Sequence, residues 1–138
     1  MTMFRRVKDP LRLSPFVLSL LLASCGYNGP AHVSAPPGSG GEVTMGFETF
    51  NPTIVYVRVG QMVTWRNTAV ITHTVTDDPK LASSPGDAVL PAGASAFNSG
   101  DIPAGGVYSY TFQTPGTYKY FCAHHEGMGM VGTVIVQP

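Results

Sequence analysis

The chain has 138 residues, of which 43% are apolar and 12% are charged. It is long enough for one domain with a buried core and too short for two ordinary domains. The 8 basic and 8 acidic side chains balance over the whole chain, yet from residue 41 onward 4 basic residues stand against 7 acidic ones, a net charge of −3. Because that part has no basic run to neutralise phosphates, its composition excludes a nucleic-acid-binding function.

The N-terminus is typical of an export signal. A basic stretch (residues 1–12) precedes an apolar segment, Phe16–Leu22, that is too short to span a bilayer. The apolar segment ends in Leu22-Ala23-Ser24-Cys25, which resembles the lipobox of bacterial lipoproteins. The resemblance implies a signal peptide over residues 1–24, a lipid on Cys25, and an exported protein anchored to a bacterial membrane, on its periplasmic or cell-surface face.

The alternative is an ordinary secretory signal in which Cys25 is incidental. A lone unlipidated thiol in an exported chain would invite unwanted disulfides, which favours lipidation. The next residues are rich in glycine, proline and serine and have few side chains to bury, so residues 25–41 are interpreted as the lipidated cysteine and a tether. The folded domain is predicted to cover residues 42–138.

Short runs of β-branched and aromatic residues, separated by turn residues, fill the predicted domain. No segment shows a sustained helical period, although residues 81–96 could hold one short helical turn. This pattern predicts an all-β fold, a Greek-key β-sandwich or barrel of about seven or eight strands, with Trp65, Phe112 and the tyrosines mostly in the core. The predicted strands are Thr53–Val59, Met62–Trp65, Val70–Thr76, Val107–Phe112, Thr117–Cys122 and Thr133–Val136.

The segment Tyr120–Gly132, YFCAHHEGMGMVG, concentrates one cysteine, two histidines and two methionines. Cys122 could act as a catalytic thiol with a histidine as its base, but no segment resembles an oxyanion-hole loop, and methionines have no role in acyl transfer. A thiolate, two imidazoles and a thioether form instead the donor set that selects copper, whereas zinc seldom takes methionine. The sequence therefore favours a redox-active metal site.

The spacing of these residues supports a metal site. Cys122, His125 and Met130 lie close enough on one loop to surround a single ion. His73 is the only other histidine of the predicted domain outside that loop, and it precedes Cys122 by about 50 residues, a distance common between neighbouring strands of a Greek key. The predicted metal ligands are thus His73, Cys122, His125 and Met130.

From about Gly41 on, the chain resembles the cupredoxins of the plastocyanin and pseudoazurin type. The motif C-x2-H-x4-M-x-G-x-V-x-V begins at Cys122 and ends at Val136, and an earlier run leads from Phe50-Asn51-Pro52 through Trp65 and Asn67 to His73. The resemblance implies a cupredoxin fold, one type 1 (blue) copper ion, and an electron carrier rather than an enzyme.

Two positions in the motif leave alternatives open. Met128 would give the shorter spacing that resembles amicyanin, but Met130 is followed by Gly132 and the alternating valines and keeps the last strand in register. His124 could be a solvated loop residue, a proton-sensitive neighbour of the copper or a competing ligand. His124 stands where plastocyanins usually have proline. Phe121 replaces a tyrosine that serves plant plastocyanins as a partner contact, and Thr74 replaces an asparagine at the position of the family's hydrogen bond across the site.

The resemblance also predicts how electrons pass. His125, with Gly127, Met128 and Gly129 around it, is the expected docking face for a redox donor and a redox acceptor, both associated with the membrane. The protein is expected to act as a monomer. A copper-binding protein for delivery, storage or resistance is the alternative, although the methionines do not form repeated clusters. A metal-free lipoprotein that binds a partner would leave the grouping of ligands as a coincidence.

Overall fold

A computed structural model describes residues 40–138, which form two β-sheets. The predicted signal peptide, Cys25 and nearly all of the tether lie outside the described residues. Within residues 40–138 no helix has the length and hydropathy needed to cross a bilayer. The strands are β1 (Gly41–Met45), β2 (Phe50–Asn51), β3 (Ile54–Arg58), β4 (Met62–Asn67), β5 (Val107–Thr111), β6 (Gly116–Phe121) and β7 (Val131–Gln137).

The two sheets have mixed topology. The first has the order β2-β1-β4-β5, in which β1 and β4 are parallel and the outer pairs are antiparallel. The second has the order β3-β7-β6, in which β3 and β7 are parallel and β6 and β7 are antiparallel. The all-β prediction with about seven or eight strands is confirmed.

The aromatic core between the sheets is centred on Trp65, which is completely buried. Its ring lies 5.3 Å from that of Tyr120 and 5.8 Å from those of Phe97 and Tyr108, measured between centroids. Phe112, also fully buried, packs on the same cluster. Tilted and edge-to-face contacts of this kind add to the free energy gained from burying apolar area. The burial of Trp65 and Phe112 confirms the prediction that both residues lie in the core.

The secondary structure differs from that expected from the sequence at three places. Val70–Thr76 is not a strand, because it pairs through isolated bridges with Ile102, Asn98 and Phe121 in turn instead of following one neighbour. Residues 81–96 contain turns but no helix. Strands β1 and β2 were not predicted.

Strand β1 begins at Gly41, the last residue assigned to the tether. A Cβ at this position would come within 2.3 Å of Val55 Cγ1, so only glycine allows this approach to β3.

Two connections meet at one end of the sheets. The β4–β5 connection (residues 68–106) is long and contains no named strand, whereas the β6–β7 loop (residues 122–130) is short. Asn67, the last residue of β4, organises the start of the long connection. Its side-chain Nδ2 donates to the carbonyls of Ile71 at 2.8 Å and Ile102 at 2.9 Å, and its Oδ1 accepts the Ala69 N–H at 2.9 Å. These bonds fix the backbone just before His73.

Candidate metal centre

Three of the predicted ligands lie together where the two connections meet. The candidate ligand atoms of His73, Cys122 and His125 are all within 4.8 Å of one another. Cys122 Sγ is 3.7 Å from His73 Nδ1 and 3.3 Å from His125 Nδ1. His73 and Cys122 are completely buried, and His125 is half-buried. The His125 side chain is thus nearer to solvent than the other two.

The β6–β7 loop reaches this shape through its own backbone. The Cys122 N–H donates to the Met130 carbonyl at 3.0 Å, and the His125 N–H donates to the Cys122 carbonyl at 3.0 Å. The Met130 N–H donates in turn to the His125 carbonyl at 3.2 Å. Gly129 has φ of 81°, in the left-handed region that glycine adopts without strain. The loop therefore folds back on itself and returns the chain to β7.

The two methionines of the loop have opposite environments. Met130 is completely buried, and its backbone is bonded to both Cys122 and His125. Met128 is 65% exposed at the tip of a short 3-10 helix, Glu126–Met128. Burial beside the cluster favours Met130 over Met128 as the fourth ligand.

Thr74 joins the two segments that carry the candidate ligands. Its backbone N–H donates to Cys122 Sγ at 3.3 Å, and its Oγ1 accepts the Ala123 N–H at 2.7 Å. The threonine thus bridges the β4–β5 connection and the β6–β7 loop, although it replaces the asparagine usual in the family. A hydrogen bond to a ligating sulfur stabilises the thiolate and tunes a bound metal.

His73 is held by two backbone bonds to Ile102, one donated at 3.1 Å and one accepted at 2.7 Å. Burial lowers the pKa of His73, and the neighbouring His125 lowers it further. The lowered pKa favours the neutral imidazole, the form that binds a metal. The donor set of this pocket, a thiol with two imidazoles and a buried thioether beside them, matches the preferences of copper.

Sequence reasoning did not identify a role for Glu126. This residue is only 7% exposed, and its two carboxylate oxygens accept the backbone N–H groups of Ser83 and Ser84, each at 2.9 Å. Burial acts to raise the pKa of Glu126, but these N–H donors outweigh it, and the pKa is lowered. His124, on the other side of His125, places Nε2 at 2.7 Å from Asp101 Oδ1.

Comparison with known proteins agrees with this geometry. The family described as copper binding proteins of the plastocyanin/azurin type matches residues 40–137. The chain belongs to this family. It is 32% identical to a plastocyanin of Prochlorothrix hollandica over 91% of this chain and 93% of that protein, and 38% identical to a plastocyanin of Scenedesmus fuscus over 64% of this chain and 86% of that protein. Among solved structures, the Cu(I) form of an amicyanin variant is similar, with a TM-score of 0.56 and 28% identity over 72% of this chain and 83% of that chain.

As a cupredoxin, the protein has copper as its cofactor and transfers electrons. Members of the family are electron carriers rather than enzymes, so the catalytic-thiol interpretation of Cys122 is set aside. Phe121 is completely buried and offers no aromatic surface at the position where plant plastocyanins have their contact tyrosine.

Proposed function

We propose that this cupredoxin is a membrane-anchored electron carrier in which His73, Cys122, His125 and Met130 hold one type 1 copper ion. The observation that supports this assignment is the buried cluster of a thiol and two imidazoles, all within 4.8 Å, on two segments that are already bonded to each other. The copper would supply a one-electron couple between Cu(I) and Cu(II).

The residues of the chain would keep the ligands in place during electron transfer. The backbone bonds within the β6–β7 loop position Cys122 and His125, and those to Ile102 position His73. Thr74 keeps a donor directed at the sulfur. Because His73, Cys122 and Met130 are completely buried, water has little access to them. A prearranged, dry site needs little movement between oxidation states.

Electrons would enter and leave through His125, the half-buried member of the cluster. Gly127, Met128 and Gly129, which follow it, are all exposed and form a small surface with little charge. A small contact of this kind suits brief redox encounters. With a net charge of −3 from residue 41 on, long-range electrostatic steering would be weak.

The N-terminal segment would confine the carrier to a bacterial membrane. A lipid on Cys25 and a glycine- and proline-rich tether of about 15 residues would give a root-mean-square reach of about 20 Å. One lipid chain binds a membrane only marginally, but a lipoprotein modification carries more than one and anchors stably. The carrier, a monomer, would then exchange electrons with donor and acceptor redox proteins at the same membrane.

Visible absorption and EPR spectra of the copper-loaded protein, beside Cys122→Ser, test the metal assignment. We expect an intense blue band and narrow copper hyperfine splitting that reductant bleaches reversibly and that Cys122→Ser lacks. A colourless protein that holds copper only as Cu(I) would favour copper delivery or storage instead. A protein that binds no copper would contradict both functions.

The anchor requires its own experiment. Membrane fractionation and intact mass of the protein produced in a bacterial host should show a lipidated chain beginning at Cys25 in the membrane fraction. Cys25→Ser should release the protein to the soluble fraction without changing its spectrum. An unlipidated mature chain would contradict the anchor and leave the metal site unaffected.

A further inference from the structure

The buried carboxylate of Glu126 makes a long-range connection that copper binding itself does not require. Glu126 directly follows His125, and its Oε1 and Oε2 accept the N–H groups of Ser84 and Ser83, which precede it by 42 and 43 residues. Removing an ionised carboxylate from water is unfavourable unless its oxygens are satisfied, and here each oxygen has a backbone donor. The arrangement is therefore a specific contact.

The position of Glu126 gives this contact its significance. Gly127 and Gly129 have no side chains to pack, and Met128 is largely exposed, so residues 127–129 have little apolar contact with the rest of the fold. The next buried apolar side chain is that of Met130. Before His125, the Ala123 N–H donates to Thr74 Oγ1 on the β4–β5 connection. After His125, the loop's backbone bonds are local and do not attach residues 126–129 to that connection. The carboxylate supplies that attachment to the β4–β5 connection, which also carries His73.

A second and weaker contact lies on the other side of His125. His124 Nε2 is 2.7 Å from Asp101 Oδ1, but the two side chains are 46% and 70% exposed. Exposed pairs contribute little to stability. Both residues next to His125 thus bind the β4–β5 connection, and the buried contact of Glu126 is the stronger of the two.

We propose that Glu126 is a positioning residue: by binding the backbone of Ser83 and Ser84, it fixes the β6–β7 loop and holds His125 in place beside Cys122 and His73. This inference rests on the proposed copper-ligand role of His125. Glu126 contacts none of the ligands through its carboxylate and acts through the backbone that it shares with His125. Residues outside the first ligand set commonly alter metal affinity by roughly 10–100-fold when they orient a ligand.

The test compares Glu126→Ala and Glu126→Gln with the wild-type protein and with Glu42→Ala. Glu42 is an exposed carboxylate of β1 that pairs with Arg66, so its removal matches the change in charge without touching the loop. The measurements are Cu(I) affinity by competition with a chelator, EPR line shape, reduction potential, and hydrogen exchange of the Ser83 and Ser84 amides in the metal-free protein.

For Glu126→Ala we expect faster exchange of both amides, about a 10–100-fold loss of copper affinity, and a broadened or heterogeneous EPR signal. Glu126→Gln keeps one acceptor oxygen and should restore part of each property, an effect that general loss of stability would not produce. Glu42→Ala should match the wild type. If Glu126→Ala fails to fold, Glu126→Gln alone decides. A copper affinity lower than that of the wild type, together with a broadened EPR line shape, then supports the proposal.

Copper affinity, potential and line shape equal to those of Glu42→Ala in both Glu126 variants would overturn the positioning role. In that case a normal blue spectrum in the wild type would leave the proposed function intact. A wild-type protein without a type 1 spectrum would contradict the proposed function itself, and with it the inference.

Discussion

The β6–β7 loop and the β4–β5 connection supply the metal site in contrasting ways. The loop is nine residues long, from 122 to 130, carries three of the proposed ligands, and is closed by its own backbone bonds. The connection runs from residue 68 to 106, contributes His73 and Thr74, and depends on isolated bridges to distant segments. The comparison shows that one ligand group is specified locally, whereas the other depends on the folded core for its position.

The largest expected effect separates the two histidines. His73→Gly and His125→Gly should each abolish the blue band, because each removes one imidazole from the proposed ligand set. Added imidazole should restore the band in His125→Gly, since that position is half-buried beside exposed glycines, but not in His73→Gly, where the side chain is completely buried. Absorption during an imidazole titration measures this. Equal rescue of both variants would show that the two positions do not differ in access.

Asn67→Ala should reveal how strongly the long connection depends on its first anchor. The substitution removes two donors and one acceptor in a buried environment and leaves the Ile71 and Ile102 carbonyls without these partners. We expect the free energy of unfolding to fall by about 2–4 kcal/mol, measured by urea denaturation. Asn98→Ala removes an exposed side chain that accepts the Gly100 N–H, and it should lower the free energy of unfolding by less than about 1 kcal/mol. A loss for Asn67→Ala no larger than this control would argue against the anchoring role.

Asp77, also in the long connection, should make stability depend on pH. Burial raises its pKa to about 6, although the Phe97 N–H donates to Oδ1 at 2.7 Å. Since the folded pKa is above the unfolded one, the carboxyl group favours the folded state at low pH, and this contribution disappears as pH rises through about 6. The free energy of unfolding of Asp77→Asn, relative to that of the wild type, should therefore increase by roughly 2–3 kcal/mol between pH 4 and pH 7. Urea unfolding of both proteins across that range measures the difference, and a constant difference would refute the raised pKa.

The smallest effect concerns the bridge between the two segments. Thr74→Val keeps the backbone N–H that donates to Cys122 Sγ at 3.3 Å. It removes the hydroxyl, which accepts the Ala123 N–H and makes a longer contact of 3.8 Å with the sulfur. We expect a loss of about 1 kcal/mol in unfolding free energy and a blue band of nearly unchanged intensity. Thr64→Val, which breaks an exposed bond to Ser109, is the matched substitution within the sheet. Loss of the blue band in Thr74→Val would mean that the side chain, rather than the backbone, maintains the site.

Much of the β6–β7 loop could be predicted because its informative residues are few in the chain and adjacent in sequence. Cys122, His125 and Met130 are chemically distinctive side chains with a regular spacing, and His73 could be paired with them because histidine is scarce in the domain. The strands with clear alternation, such as β3 and β7, were predicted on the same local basis. Local signals therefore sufficed for the fold class and for the composition of the site.

The remaining features depend on contacts between segments distant in sequence. Glu126 and Thr74 are common residue types, and their roles arise only from the positions of Ser83, Ser84 and Ala123 in the folded chain. Strand β1 is short and pairs in parallel with β4, a contact without a hairpin turn to mark it. Val70–Thr76 has the composition of a strand, yet it changes neighbours along its length.

The strand directions have a practical consequence for attaching the protein to a surface. Strand β1 starts at Gly41 and runs toward Gly46, near His73, whereas β7 starts beside Met130 and runs away to Pro138. Both termini of the described segment consequently lie at the end of the sheets away from the copper ligands, separated from them by roughly 13 Å or more, the length of a five-residue strand. An electrode linker or affinity tag joined at residue 40 or residue 138 would leave His125 facing the solution.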